Sequence, residues 1–173
     1  MTTGTPRDTR PGEATPLDEM ASARAWLVNL REWAEFKVQG LTPAQLRWKP
    51  APGANSLGTI VRHLGLAERL WFRVIWAGED IDVPALQATM FDQIAEDWTL
   101  DDLLAFYRAE CAAADAALDT ATSFDEMGHY PPRPATLRFI VVHMLEEIAR
   151  HLGHMDITRE LIEDGSMDST RRR

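Results

Sequence analysis

Apolar positions recur at three- and four-residue steps over four long stretches, and none alternates convincingly with period two. The pattern therefore predicts helices and no sheet. In the first stretch, residues 18–39, one face carries Met20, Ala23, Leu27, Leu30, Ala34 and Val38, and Gly40 marks the stop. Residues 41–55 contain Pro43, Pro50, Pro52 and Gly53 and read as an ordered loop rather than a helix. Ser56 is a good N-cap for a second helix, with Leu57, Ile60, Val61, Leu64, Trp71 and Ile75 on its apolar face and Gly78 at its close. Pro84 breaks the next stretch, where residues 86–94 fit either a short helix or an irregular crossover. Thr99, with Asp102 three residues on, opens a third helix in a capping-box-like arrangement, and this helix ends near Asp119. Beyond Pro131, Pro132 and Pro134, a fourth helix runs from about Thr136 to about Glu163, stopped by Asp164 and Gly165. Four helices of about twenty residues, each about 30 Å long, with two longer connections predict an all-α four-helix bundle.

Composition narrows the class without changing that picture. The 173 residues hold 18 Lys+Arg against 27 Asp+Glu, a formal net charge of −9. An acidic chain lacks the basic face needed to hold nucleic acid through its phosphates. No apolar run approaches the ~18–20 residues of a membrane span, and the first sixteen residues lack the apolar core of a secretory signal. A soluble, cytoplasmic protein is expected, with neither nucleic acid nor membrane as partner. Cys111 is the single cysteine, which excludes an intramolecular disulfide and a cysteine-rich zinc module. Residues 1–16 and 166–173 are polar and poor in apolar groups, so flexible tails are expected around one domain at 17–165.

The fourth helix carries an unusual polar line. His143, Glu147 and His151 are spaced by four, and His154 follows three later. On a helical wheel these four fall within about 80° of one another and border the apolar arc of Leu137, Val141, Met144, Ile148, Leu152 and Met155. A carboxylate and imidazoles withdrawn from water must be paired or coordinated. Glu147 and His151, on adjacent turns, can reach one ion, although the sequence is not the HExxH of zincins. His63, beside Ile60, Leu64 and Ala67 in the second helix, is the best candidate for a ligand from elsewhere; the competing reading is a hydrogen-bonded half-core histidine. Three protein ligands would leave a position open, the pattern of catalytic rather than structural zinc.

The second-helix string SLGTIVRHLGLAERLWF, the fourth-helix string HMLEEIARHLGHMDITRELIEDG and the loop LRWKPAPGANS resemble the DinB-like superfamily, in particular its actinobacterial branch of mycothiol-dependent enzymes. The resemblance spans residues 17–165. It implies a four-helix bundle with a long crossover after the second helix, and a metal triad at His63, Glu147 and His151. Many members have a third histidine where this chain has Glu147; the His-Glu-His set resembles the mycothiol-dependent maleylpyruvate isomerase type. A glutamine common after the ligand's glycine is replaced by His154. The implied cofactor is a divalent metal, zinc first and nickel, iron or manganese as alternatives, with a low-molecular-weight thiol such as mycothiol as cosubstrate. Zinc would lower the pKa of a coordinated thiol, and the thiolate would attack a small electrophile.

Other residues carry candidate roles beside plainer ones. His143 is a candidate catalytic residue, as general base or substrate hydrogen-bond donor, or else a capping histidine. Trp48 could line the pocket mouth; Arg150 and Arg159 could contact an anionic cosubstrate, or form solvated ion pairs. His154 could orient a ligand or lie at the bundle end. Glu68, about 140° around the helix from His63, is not expected to share its ligand set. Trp26, Trp33, Trp71, Trp76, Trp98, Phe72 and Phe106 read as core fillers, Cys111 as a small core residue and His129 as exposed. The functional expectation is a thiol S-transferase or thiol-dependent isomerase, working as a monomer or homodimer. The alternatives are a metal-dependent hydrolase and a non-catalytic, stress-associated binding bundle.

Overall fold

The computed structural model describes residues 18–169, so the expected N-terminal tail and the last four residues lie outside the described part. All regular structure there is helical: α1 (Glu19–Phe36), α2 (Pro43–Arg47), α3 (Leu57–Glu68), α4 (Val83–Ala88), α5 (Leu100–Leu118), α6 (Leu137–Glu163) and α7 (Ser166–Ser169). The expected tail at residue 166 thus begins as one further helical turn, α7. Three of the long helices start where the sequence places a cap. Ser56, Thr99 and Thr136 each accept a hydrogen bond from the backbone N–H three residues on, and Thr99 and Asp102 complete a capping box. Gly40, Gly78 and Gly165 follow α1, the extended α3 and α6 with φ of 73°, 74° and 82°, the left-handed conformation glycine adopts without strain.

Three details differ from the sequence expectation. The stretch 41–55 is not all loop, because Thr42 and Gln45 form a capping box around Pro43 and nucleate α2. Pro84 does not break the crossover; it lies in the first turn of α4, where its missing N–H costs nothing. The helix begun at α3 continues beyond Glu68 as a π-helix, Arg69–Trp76, with Ala77 N–H bonding back five residues to Phe72. Backbone N–H groups of His129 and Tyr130 then satisfy the Trp76 and Ile75 carbonyls, at 3.0 and 3.3 Å.

Inter-helix contacts fix the topology. Arg24 meets Asp119 and Arg31 meets Asp115, so α1 and α5 are antiparallel. Phe106 lies against Gly65, Glu110 against Arg69 and Ala117 against Trp76, so α5 runs parallel to the extended α3. His63 meets Glu147 and Trp71 meets His143, so α3 and α6 are antiparallel. Two consecutive parallel helices need a return path as long as the helix, and residues 77–99 with α4 provide it. This is the long crossover of a four-helix bundle. A Cβ at Gly65 would sit 2.7 Å from the Phe106 ring, so glycine there lets α3 and α5 approach.

The core joins Leu27, Leu57, Leu64, Phe72, Trp76, Tyr107, Leu137, Ile140 and Met144, among others. Trp76, Phe72 and Trp71 are buried as expected, whereas Trp26 is 41% exposed on α1. One polar cluster crosses this core. Arg31 grips the fully buried Glu68 with two hydrogen bonds of 2.8 Å and reaches Asp115 at 2.7 Å. Complete burial pushes the Glu68 carboxyl above its ordinary value, against the opposing pull of Arg31. Burial first, and the Glu68 charge second, also push the Cys111 thiol up, so it stays protonated. Arg31→Met should therefore cost about 3–5 kcal/mol in urea unfolding, because Glu68 is left buried without its partner. Adding Glu68→Met should restore much of that loss; an equal loss in the double variant would show that the pair is not the cause.

Candidate metal centre

The middle of α3 is buried except at Arg62, and its face toward α6 presents His63, 4% exposed. The facing turns of α6 present Glu147 and His151, which its four-residue spacing stacks on one side. His63 Nε2 lies 2.9 Å from Glu147 Oε1, and His151 Nε2 lies 3.4 Å from the same oxygen. One ligand atom from each of the three lies within 4.8 Å of the others. In a tetrahedral zinc shell, neighbouring N and O ligands sit about 3.3 Å apart. Two imidazoles and a carboxylate are also a common zinc donor set, so the residues present fit a divalent metal.

Hydrogen bonding to His151 and to His63 holds the Glu147 carboxyl well below the usual carboxylate range, outweighing its partial burial. It is ionised throughout the physiological range. Arg150 Nη1 stands 3.8 Å from the other carboxylate oxygen, Oε2.

The crossover closes over this trio, which the sequence did not reveal. Phe91, in the turn after α4, stacks on the His63 ring at 4.1 Å with an interplanar angle of 16°, and lies 6.5 Å from His151. Its ring is still 52% exposed, so it forms an outer wall rather than core. Three residues pin the segment. Gln93 accepts from the hydroxyls of Ser56 and Thr59 and donates to the Arg47 carbonyl at 2.8 Å. Arg62 donates to the Thr89 carbonyl, and Arg47 to the carbonyls of Ala95, Glu96 and Trp98. The N-cap that starts α3 thus also tethers the wall of the site.

The other sequence candidates separate. His143 is half-buried one turn before Glu147, its ring 4.2 Å from Trp71 and stacked with Phe139 at 6.3 Å. Arg133 lies over the Trp71 ring at 4.3 Å. Burial lowers the pKa of His143 below the ordinary histidine value, although Glu147 pulls the other way. His154 packs edge-to-face on His151 at 5.7 Å. Trp48, at the end of α2, is half-buried against the core. Arg150 is exposed and ion-paired with Glu146, and Arg159 pairs with Glu163 and caps the end of α1 through the Lys37 and Gln39 carbonyls. Glu68 points away to Arg31, as the helical angle predicts, and His129 is exposed.

A family model described as mycothiol S-transferase matches residues 22–164, and the chain belongs to that family. Among solved structures, a conserved protein from Enterococcus faecalis matches with TM-score 0.64 and 18% identity, over 86% of this chain and 99% of that one. YfiT from Bacillus subtilis, described as a probable metal-dependent hydrolase with an unusual four-helix bundle topology, matches with TM-score 0.61 and 16% identity, over 88% and 93%. A DinB-like protein from Bacillus cereus gives TM-score 0.57 and 17% identity, over 82% and 92%. The search of curated proteins found no match. None of the described helices is long and apolar enough to cross a membrane.

A histidine whose pKa is lowered in the folded state binds its proton more readily in the unfolded chain, so its contribution to stability is present above about pH 6.5 and is lost as pH falls through the folded value. His143 should titrate below about 6.5 in histidine-resolved NMR, and Trp71→Leu should move the midpoint up. A midpoint at or above the ordinary value would contradict the packing described.

Proposed function

We propose that the protein is a metal-dependent thiol S-transferase, in which His63, Glu147 and His151 hold a divalent metal, zinc first, beside a low-molecular-weight thiol of the mycothiol type. The observation that carries this reading is the convergence of both imidazole Nε2 atoms on one Glu147 oxygen within a chain of the mycothiol S-transferase family. A divalent metal bound there supplies the Lewis acidity that lowers a thiol's pKa toward neutrality. The protein's own residues do the rest. Glu147 reduces the site's positive charge without abolishing it, which favours an anionic sulfur. Phe91 and the crossover shield the His63 side from water. His143, neutral at pH 7 because burial lowers its basicity, accepts the thiol proton on a ring nitrogen and passes it to solvent. The sulfur then bonds to the electrophilic carbon, and the leaving group departs with its electron pair. Trp48 and Arg150 are assigned to the thiol's approach, Arg150 as the positive charge nearest Glu147.

A second reading makes water the nucleophile, in line with the description of YfiT, which shares this fold. Thiol dependence separates the two. Purified protein should carry one equivalent of a divalent metal by elemental analysis, and His63→Ala, Glu147→Ala and His151→Ala should each lose it. Loss of an outer-shell partner costs about 10–100-fold, so losing a ligand should lower transfer from mycothiol to 1-chloro-2,4-dinitrobenzene by at least about 100-fold. Metal retained in the variants, or transfer unaffected, would refute the assignment; ester cleavage without thiol would favour the hydrolase.

A further inference from the structure

Next to the trio lies a cleft that its ligands do not occupy. It has a volume of about 330 Å³, and its walls include the 50–55 loop, Ile60 of α3, and His154 and Ile157 of α6. Its position follows from helix geometry. Ile60 precedes His63 by three residues and His154 follows His151 by three, so both lie on the ligand-bearing faces, about one turn along the seam of α3 and α6. The edge-to-face contact of His151 with His154 joins the two sites. The surface is chiefly apolar, with Ala54, Ile60 and Ile157 against the polar Asn55, His154 and Thr158. Ile157 is 60% exposed and serves the cleft rather than the core.

We infer that this cleft seats the carbon skeleton of the electrophile, and that it selects compact, uncharged, apolar molecules; the electrophile's role rests on the thiol-transfer reading. Two observations decide the chemistry. In a chain of net charge −9, no Asp, Glu, Lys or Arg lines the cleft, so a charged ligand would be desolvated with no permanently charged side chain to pair with. A polyol-bearing thiol would need more hydrogen-bonding groups than Asn55, His154 and Thr158 provide, the Thr158 hydroxyl already donating to the His154 carbonyl. The volume is at the small end of ligand pockets, which suits on the order of ten non-hydrogen atoms. The thiol therefore approaches from the His143 side of the trio, and the two substrates meet across the metal position.

The test substitutes Ile157→Trp, which fills the cleft from an exposed position, and Ile157→Asp, which charges it. Binding of 1-chloro-4-nitrobenzene is followed by ligand-observed NMR in metal-loaded and chelator-treated protein, without thiol. The parent should bind the probe in both states, and both variants should bind at least tenfold more weakly with metal content and melting temperature unchanged. In turnover, the KM for the electrophile should rise about tenfold and that for the thiol should not move. Unchanged probe affinity, or a rise confined to the thiol KM, would overturn the inference. Probe binding lost in the variants of a protein that transfers no thiol would keep the cleft and remove the reaction assigned to it. A variant with altered melting temperature is replaced by Ala54→Leu, which narrows the opposite wall.

Discussion

A helix buried over most of its surface must find partners for the polar groups it buries, and the extended α3 carries such groups on two well-separated faces. Glu68 turns toward α1 and is held by Arg31 through a two-pronged contact. His63, five residues earlier, turns toward α6 and meets Glu147. Neither group could be left alone at such burial without a cost of several kcal/mol. The two pairs therefore set the rotation of α3 about its own axis, and with it the direction in which the His63 ring points. Arg31 is far from the ligand trio in sequence, yet the charge it neutralises keeps α3 in the orientation the trio needs.

The second constraint is topological. Because α3 and α5 run parallel, the chain must return the full length of the bundle between them. That return is the structural source of Phe91, and the polar groups of Gln93, Arg47 and Arg62 keep it from being a loose strap. The wall over the trio is thus a by-product of the bundle's connectivity, anchored at the N-cap of α3. One hydroxyl, that of Ser56, accepts from the Thr59 N–H to start the helix and donates to Gln93 to fix the crossover.

What the sequence disclosed and what it withheld follow from the range of each interaction. The caps at Ser56, Thr99 and Thr136 and the stops at Gly40, Gly78 and Gly165 act within a few residues, and they fall where the pattern places them. The spacing of Glu147 and His151 is equally local, and the wheel puts them at the edge of the apolar arc where they are found. The Arg31–Glu68 pair spans 37 residues and leaves no periodic trace, so it is visible only once α1 lies against α3. Phe91 sits in a turn, where neither period nor capping chemistry marks it. The π-helical stretch has an ordinary helical sequence, RLWFRVIW, and the wider winding is a product of tertiary packing. Trp26 failed as a core residue for the opposite reason: aromatic character alone does not say which face of α1 meets the bundle.

The substitution of a carboxylate for one imidazole in the trio has a consequence beyond charge. Three neutral histidines would have no strong attraction for one another before a metal arrives. Here an ionised Glu147 accepts from His151 and His63, and those contacts hold its carboxyl well below the usual carboxylate range. The ligand atoms are drawn together by the protein's own hydrogen bonds, so an incoming ion meets side chains whose rotamers are already restricted. Ordering two long side chains at binding would otherwise cost about 0.5–1.5 kcal/mol each. The same carboxylate must give up imidazole N–H donors when a metal takes their place, so part of the gain is returned on loading. A metal site built this way would be organised before metal arrives, and its affinity would be set by the difference between two well-formed states rather than between order and disorder. In the adjoining cleft, the apolar surface of Ile60 and Ile157 requires no such exchange. Polar contacts concentrate at the trio and apolar ones in the adjoining cleft, and on the proposed reading that division would let one short seam between two helices address a sulfur anion and a neutral carbon skeleton at once.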